Sequence, residues 1–137
     1  MPRTSVPRPG RARSRRLAAL GALLLVATAA CGPGSPTAPA SPYSDSEGRY
    51  HVPVHMVDMR FEPSTIVVPD GTHLVVDLEN TDGMPHDLVL QDGTTSGLLS
   101  RGEKATVDVG TVTGAIEGWC SVQGHRAAGM VLGISVG

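Results

Sequence analysis

The 137-residue chain is poor in several things. It holds one Phe, one Trp and two Tyr, only two cysteines, and no acidic residue before Asp45. With rings only at Tyr43, Tyr50, Phe61 and Trp119, any stacking platform for single-stranded nucleic acid would be thin. Two cysteines permit one disulfide at most, so this is no disulfide-built scaffold. The formal charge of −2 hides an uneven distribution. Six of the eleven basic residues are Arg3, Arg8, Arg11, Arg13, Arg15 and Arg16, and residues 31–137 carry five basic and thirteen acidic side chains, a net of −8. A working region of that sign lacks the basic patch that a nucleic-acid partner requires. Long hydrophobic runs are missing too. The longest apolar stretch, Leu17 to Ala30, has 14 residues, short of the ~20 that span a bilayer as a helix.

What is present at the N-terminus is an address. A basic, acid-free segment runs into that short apolar stretch, which ends in small residues, the three-part pattern of an export signal over residues 1–30. Thr28-Ala-Ala-Cys31-Gly resembles a bacterial lipobox, in which the cysteine becomes the lipidated first residue of the mature protein, although Thr28 stands where Leu is usual. Ala27-Thr-Ala29 also fits an ordinary cleavage site, which would leave a soluble secreted or periplasmic product. An unpaired exposed thiol is a liability outside the cell, and this favours lipid on Cys31 and a membrane anchor. Ser14-Arg-Arg-Leu17 carries a twin-arginine pair of the kind some export signals use.

Residues 31–48 follow as a linker. Pro33, Pro36, Pro39 and Pro42 recur every third residue among Gly, Ser, Thr and Ala, a composition that buries no core and favours extended polyproline II. Residues 49–137 form the working domain. No helical period of useful length occurs there. Short β-rich runs are expected at 52–59, 65–68, 72–79, 86–91, 104–109, 115–121 and 130–136, with 94–99 as an eighth. Pro69-Asp-Gly71, Asn80-Thr-Asp-Gly83, Gln91-Asp-Gly93 and Arg101-Gly102 supply turns between them. Leu74, Val76 and Leu78 alternate with Asp77 and Glu79, so one face of that strand is buried. The expected fold class is all-β: an antiparallel Greek-key sandwich of seven or eight strands.

One constellation carries chemistry. Gly118-Trp-Cys120-Ser-Val-Gln-Gly-His125-Arg-Ala-Ala-Gly-Met130 places a Cys, a His and a Met five residues apart, and Met84-Pro-His86 stands upstream at a strand start. Two His, one Cys and a Met are the donor set of a blue-copper centre, a trigonal His₂Cys plane with a weak axial thioether. Soft sulfur suits Cu(I) and imidazole accepts either oxidation state, so one cage serves both. Three donors on one loop between two strands can converge on a single ion, with Gly124 and Gly129 permitting the bends. A coordinated thiol is deprotonated outright.

On these residues the segment from His51 to Gly137 resembles the cupredoxin family, and the Cys-x4-His-x4-Met loop resembles its auracyanin and rusticyanin type. Phe61-Glu-Pro-Ser-Thr-Ile-Val-Val-Pro-Asp-Gly71 and the Met84-Pro-His86 turn are similar to that family as well. The resemblance implies one copper, with His86, Cys120 and His125 as equatorial ligands and Met130 as the axial one. It also implies an electron port at His125, rimmed by Met84, Pro85, Ala127 and Ala128; Arg126 departs from a purely apolar rim and is placed to orient an acidic partner. The family usually has Asn after the first ligand histidine, where its side chain helps hold the ligand loop. Asp87 stands here instead; it accepts the same hydrogen bonds but donates no amide.

A site closed by four protein ligands has no open position for a substrate. The expectation is therefore no enzyme but a monomeric carrier of single electrons at the cell surface, meeting a redox protein by transient docking. The alternative is a copper-handling lipoprotein for scavenging, chaperoning or storage. His51, His55, Met56 and Met59, with His73, would then hold a second copper.

Overall fold

A computed structural model describes residues 40–137. The export signal, Cys31 and the linker up to Pro39 lie outside the described residues. Among the described residues nine strands build two sheets: β1 (Tyr43–Ser44), β2 (Tyr50–Val57), β3 (Arg60–Glu62), β4 (Thr65–Val68), β5 (Thr72–Asn80), β6 (Val89–Leu90), β7 (Lys104–Val112), β8 (Ile116–Trp119) and β9 (Val131–Val136). One sheet runs β1-β2-β5-β7 with β3 also on β2, and the other runs β4-β9-β8-β6. This is the expected all-β sandwich. Two pairings depart from the antiparallel expectation, since β2 lies parallel to β5 and β4 parallel to β9. The chain leaves the first sheet after β3, lays β4 into the second, and returns as β5, which makes its two visits to the first sheet parallel.

Binary patterning explains the core. In β2, Val52, Val54 and Met56 point inward, and in β4, Ile66 and Val68 do so. They meet Leu74, Val76 and Leu78 from β5 and Leu132 and Ile134 from β9 in one apolar cluster around Phe61. Burying such side chains contributes roughly 1.5–3 kcal/mol each before chain entropy is counted. Pro53 has no N–H to give. It falls in the gap on one edge of β2 between the residues paired with β1 and those paired with β3.

Several boundaries differ from the expectation, and β7 runs on to Val112, past the expected 104–109. The run at 52–59 stops at Val57, because Asp58 and Met59 adopt φ of 49° and 57°, the backbone of a two-residue turn that starts the β2–β3 hairpin. The run at 86–91 shrinks to β6. His86 keeps a single bridge to Leu99, while the Leu88 N–H turns to the Ser96 hydroxyl at 2.9 Å; 94–99 is correspondingly no strand. Pairing also begins inside the expected linker, at Tyr43.

That early start has a local cause. Asp45 Oδ1 accepts the N–H groups of Glu47 and Arg49, each at 2.9 Å, closing the turn into β2. His51 then sits between two carboxylates, Nδ1 2.9 Å from Asp77 and Nε2 3.2 Å from Asp45, with Tyr43 stacked 4.7 Å away. Burial alone would lower the His51 pKa, but the two carboxylates outweigh it and the net shift is upward from 6.5. For Asp45 burial acts upward and is outweighed by the Arg49 and His51 bonds, so its carboxyl lies well below the usual range. Folded His51 holds its proton more tightly than unfolded His51. Its contribution to stability is therefore complete below the ordinary histidine pKa and fades as pH rises through the folded value. Thermal melts of wild type and His51→Asn should differ most on the acid side of the ordinary histidine pKa, and the difference should shrink as pH rises. A difference that grows with pH would contradict the ion-pair reading.

Candidate metal centre

The site lies where the second sheet meets the loops at one end of the sandwich. Cys120 directly follows β8 and Met130 directly precedes β9, and these strands pair antiparallel. The Cys120 N–H donates to Met130 O at 3.1 Å, which closes the loop at its base. Within the loop the His125 N–H donates to Val122 O and the Met130 N–H to His125 O, both at 3.0 Å. Gly124 and Gly129 take φ of 84° and 98°, left-handed conformations that a side chain would strain. β6 pairs with β8 through Val89 and Trp119, and this pairing carries the neighbouring His86 to the loop.

The three donors converge. His86 Nδ1 lies 3.1 Å from His125 Nδ1, and Cys120 Sγ lies 3.8 Å from the first and 3.5 Å from the second. Among the described residues, this is the one group of three or more His, Cys, Asp or Glu close enough to share a metal ion, and all three are buried. A first-row ion bound at about 2.0 Å to nitrogen and about 2.3 Å to sulfur needs a triangle with edges of about 3.5–3.7 Å. The two sulfur edges lie close to these values, and the 3.1 Å edge between the two nitrogens is the shortest of the three. With each ring carrying its proton on Nε2, the two Nδ1 lone pairs and the sulfur all face one point, where a cation takes all three. Met130, wholly buried beside this plane, completes the set, and the four side chains stand as in a type 1 copper site. Burial pushes the Cys120 thiol above its ordinary pKa, so a metal entering the site displaces a proton from sulfur.

Surrounding residues orient the donors. His86 is completely buried, and its Nε2 donates to Asp82 Oδ2 at 3.0 Å. The proton on Nε2 leaves the Nδ1 lone pair free to face Cys120 and His125. The His86 bond, then the Met59 N–H, hold the Asp82 carboxyl below its usual pKa. Asp87 accepts the Ser121 N–H at 2.6 Å and the Ser121 hydroxyl. It thus fixes the residue after Cys120 through acceptor bonds alone. Asn80 is fully buried; its amide donates to Met84 O at 2.8 Å and Leu99 O at 2.7 Å, while its Oδ1 accepts the Asp82 N–H at 2.9 Å. By sequence Asn80 and Asp82 count only as turn formers. Asn80 continues the inward Leu74-Val76-Leu78 face, and a polar residue at such a position is the signal that could have marked it.

A model of the cupredoxin-like domain matches residues 17–132. The chain belongs to the cupredoxin-like family. No curated protein sequence matches it. Among solved structures it is similar to auracyanin B at 20% identity and a TM-score of 0.55, covering 64% of this chain and 88% of that one. It is similar to auracyanin A, a "blue" copper protein from Chloroflexus aurantiacus, at 15% identity and a TM-score of 0.52, covering 64% and 98%. A multicopper oxidase aligns at 17% identity and a TM-score of 0.55, covering 69% of this chain and 45% of that one. These likenesses concern the fold.

The remaining cupredoxin features fall as follows. Met84 is 47% exposed and Pro85, Ala127 and Ala128 are exposed, whereas His125 itself is buried. Leu98, next to the Leu99 bridge to His86, adds an exposed apolar side chain that the motifs do not mark. Arg126 is not left to a partner alone: Nη2 donates to Glu117 at 2.5 Å and its guanidinium lies 3.9 Å over the Trp119 ring. The residues of the copper-handling alternative have separate surroundings, and His55 Nδ1 stands 3.9 Å from Glu79. His51 is taken up by Asp45 and Asp77, Met56 lies in the core on the opposite face of β2, and Met59 lies beyond it in the turn. His73 bonds Asp108 at 2.7 Å.

Proposed function

We propose that the chain is an exported type 1 copper protein that carries single electrons between redox partners. The observation that carries this reading is the buried triangle of His86 Nδ1, His125 Nδ1 and Cys120 Sγ. Bound copper supplies a one-electron Cu(II)/Cu(I) couple there. His86, Cys120, His125 and Met130 would hold the ion, and burial of all four excludes water. The closed bonding of the loop resists rearrangement, which keeps the donor positions alike in both oxidation states. Four protein donors leave no coordination position for a substrate, which supports a carrier over an enzyme. The exposed side chains of Met84, Pro85, Leu98, Ala127 and Ala128 suit a small, transient docking face.

Copper titration of the full-length protein is expected to saturate at one equivalent, and a redox titration is expected to follow a one-electron curve. Two or more coppers, with loss on replacing His51 and His55, would favour copper handling instead. The acid-free basic N-terminus and short apolar stretch support export, and the Cys31 context supports a lipid anchor. Metabolic labelling with a fatty acid should mark wild type and leave Cys31→Ala unmarked. Equal labelling of the two would overturn the anchor.

A further inference from the structure

Two carboxylates lie near the ligands and act on different things. Asp87 holds the backbone and hydroxyl of Ser121. Asp82 touches a ligand ring itself, through Nε2 of His86 on the side away from Cys120 and His125. Its carboxylate is also unusually fixed. Oδ2 accepts the Met59 N–H at 3.1 Å in addition to the His86 bond, and Oδ1 accepts the Gly83 N–H at 2.6 Å. Its own backbone N–H is held at 2.9 Å by Asn80 Oδ1 and at 3.1 Å by Met56 O. Met59, one of its donors, sits in the left-handed turn of the β2–β3 hairpin. The carboxylate is therefore built into two loops at once, and its side chain is only 20% exposed.

From this geometry, resting on the copper reading above, we propose that Asp82 is a positioning residue whose carboxylate, bonded to His86, sets the reduction potential of the centre by favouring Cu(II). The chemistry is general. A carboxylate accepting the imidazole N–H fixes the tautomer and makes the other ring nitrogen a better donor. Its negative charge is felt through the ring by an ion one unit more positive in one oxidation state than in the other. Poor access to water preserves that difference. Both effects act in one direction: Cu(II) gains more than Cu(I), and the potential is lowered.

Asp82→Asn keeps the shape and an acceptor oxygen but removes the charge. Loss of an outer partner of this kind costs about 10–100-fold in metal affinity. If the loss falls on Cu(II), a tenfold change raises the one-electron potential by about 59 mV. The experiment is a redox titration at neutral pH of full-length, copper-loaded wild type, Asp82→Asn and Asp108→Asn. The last removes an equal charge from an exposed carboxylate that pairs with a histidine outside the metal centre. Asp82→Asn is expected to keep its visible band, showing an intact plane, and to titrate at a higher potential than both others. A potential equal to that of Asp108→Asn overturns the proposal while leaving the copper reading standing. A wild type that takes up no copper overturns the copper reading and this inference with it. Should Asp82→Asn not fold, the reduced wild type decides by NMR. A slowly exchanging His86 Nε2–H proton supports the bond to Asp82, and one that exchanges as freely as a solvent-facing imidazole overturns it.

Discussion

Cys120→Ser is expected to abolish the intense colour of the copper-loaded protein and to weaken copper binding by more than the about 100-fold that loss of an outer partner costs. Among His86, Cys120, His125 and Met130, only Cys120 can bring a negative charge to the metal. Its thiol is completely buried and its pKa is pushed up by that burial, so the apo protein keeps the proton and the metal displaces it. A serine hydroxyl is far harder to deprotonate and offers hard oxygen in place of soft sulfur. The two imidazoles alone would leave a pale site. Visible absorption and copper affinity of the variant check this, with circular dichroism confirming the sandwich. A variant that stayed deeply coloured would remove Cys120 from the ligand set.

Asn80→Ala is expected to carry the largest stability loss among the polar substitutions. Its amide and carbonyl join three segments: Met84 beside the ligand His86, Leu99 across the bridge, and the Asp82 turn. Alanine removes the donor to Met84 O and one of the two donors to Leu99 O, which keeps the His86 N–H, and each such bond contributes about 0.5–1.5 kcal/mol. The turn that presents Asp82 to His86 loosens at the same time. Chemical denaturation should therefore show a loss of about 1.5–4 kcal/mol, together with weaker copper retention. A change below about 1 kcal/mol would mean that water replaces the side chain without cost.

Much of the fold and of the metal centre is legible in the amino-acid sequence. The all-β class follows from short β-rich runs separated by Gly- and Pro-containing turns, and β4, β5, β7, β8 and β9 stand near their expected places. The donors are legible because Cys120, His125 and Met130 share one loop whose glycines at 124 and 129 do adopt the left-handed backbone. What stays hidden depends on distant neighbours. Parallel pairing of β2 with β5 is a matter of path between sheets, and alternation within either strand is blind to it. The two-residue β1 is held by Asp45 and His51, whose partners are unknown until the hairpin closes. Asp82 reads as a turn residue because its second role, four positions before His86, exists only when the segment folds back. The apparent copper ligands at 51–59 fail for the complementary reason. Strand geometry sends His51 and Met56 to opposite faces.

The central claim is that His86, Cys120, His125 and Met130 form a type 1 copper site, and the visible spectrum on adding Cu(II) to the full-length protein tests it most directly. One equivalent is expected to produce an intense blue band that bleaches on reduction and returns on reoxidation. A protein that binds Cu(II) with only the faint colour of an ordinary nitrogen and oxygen site, or none, would contradict it.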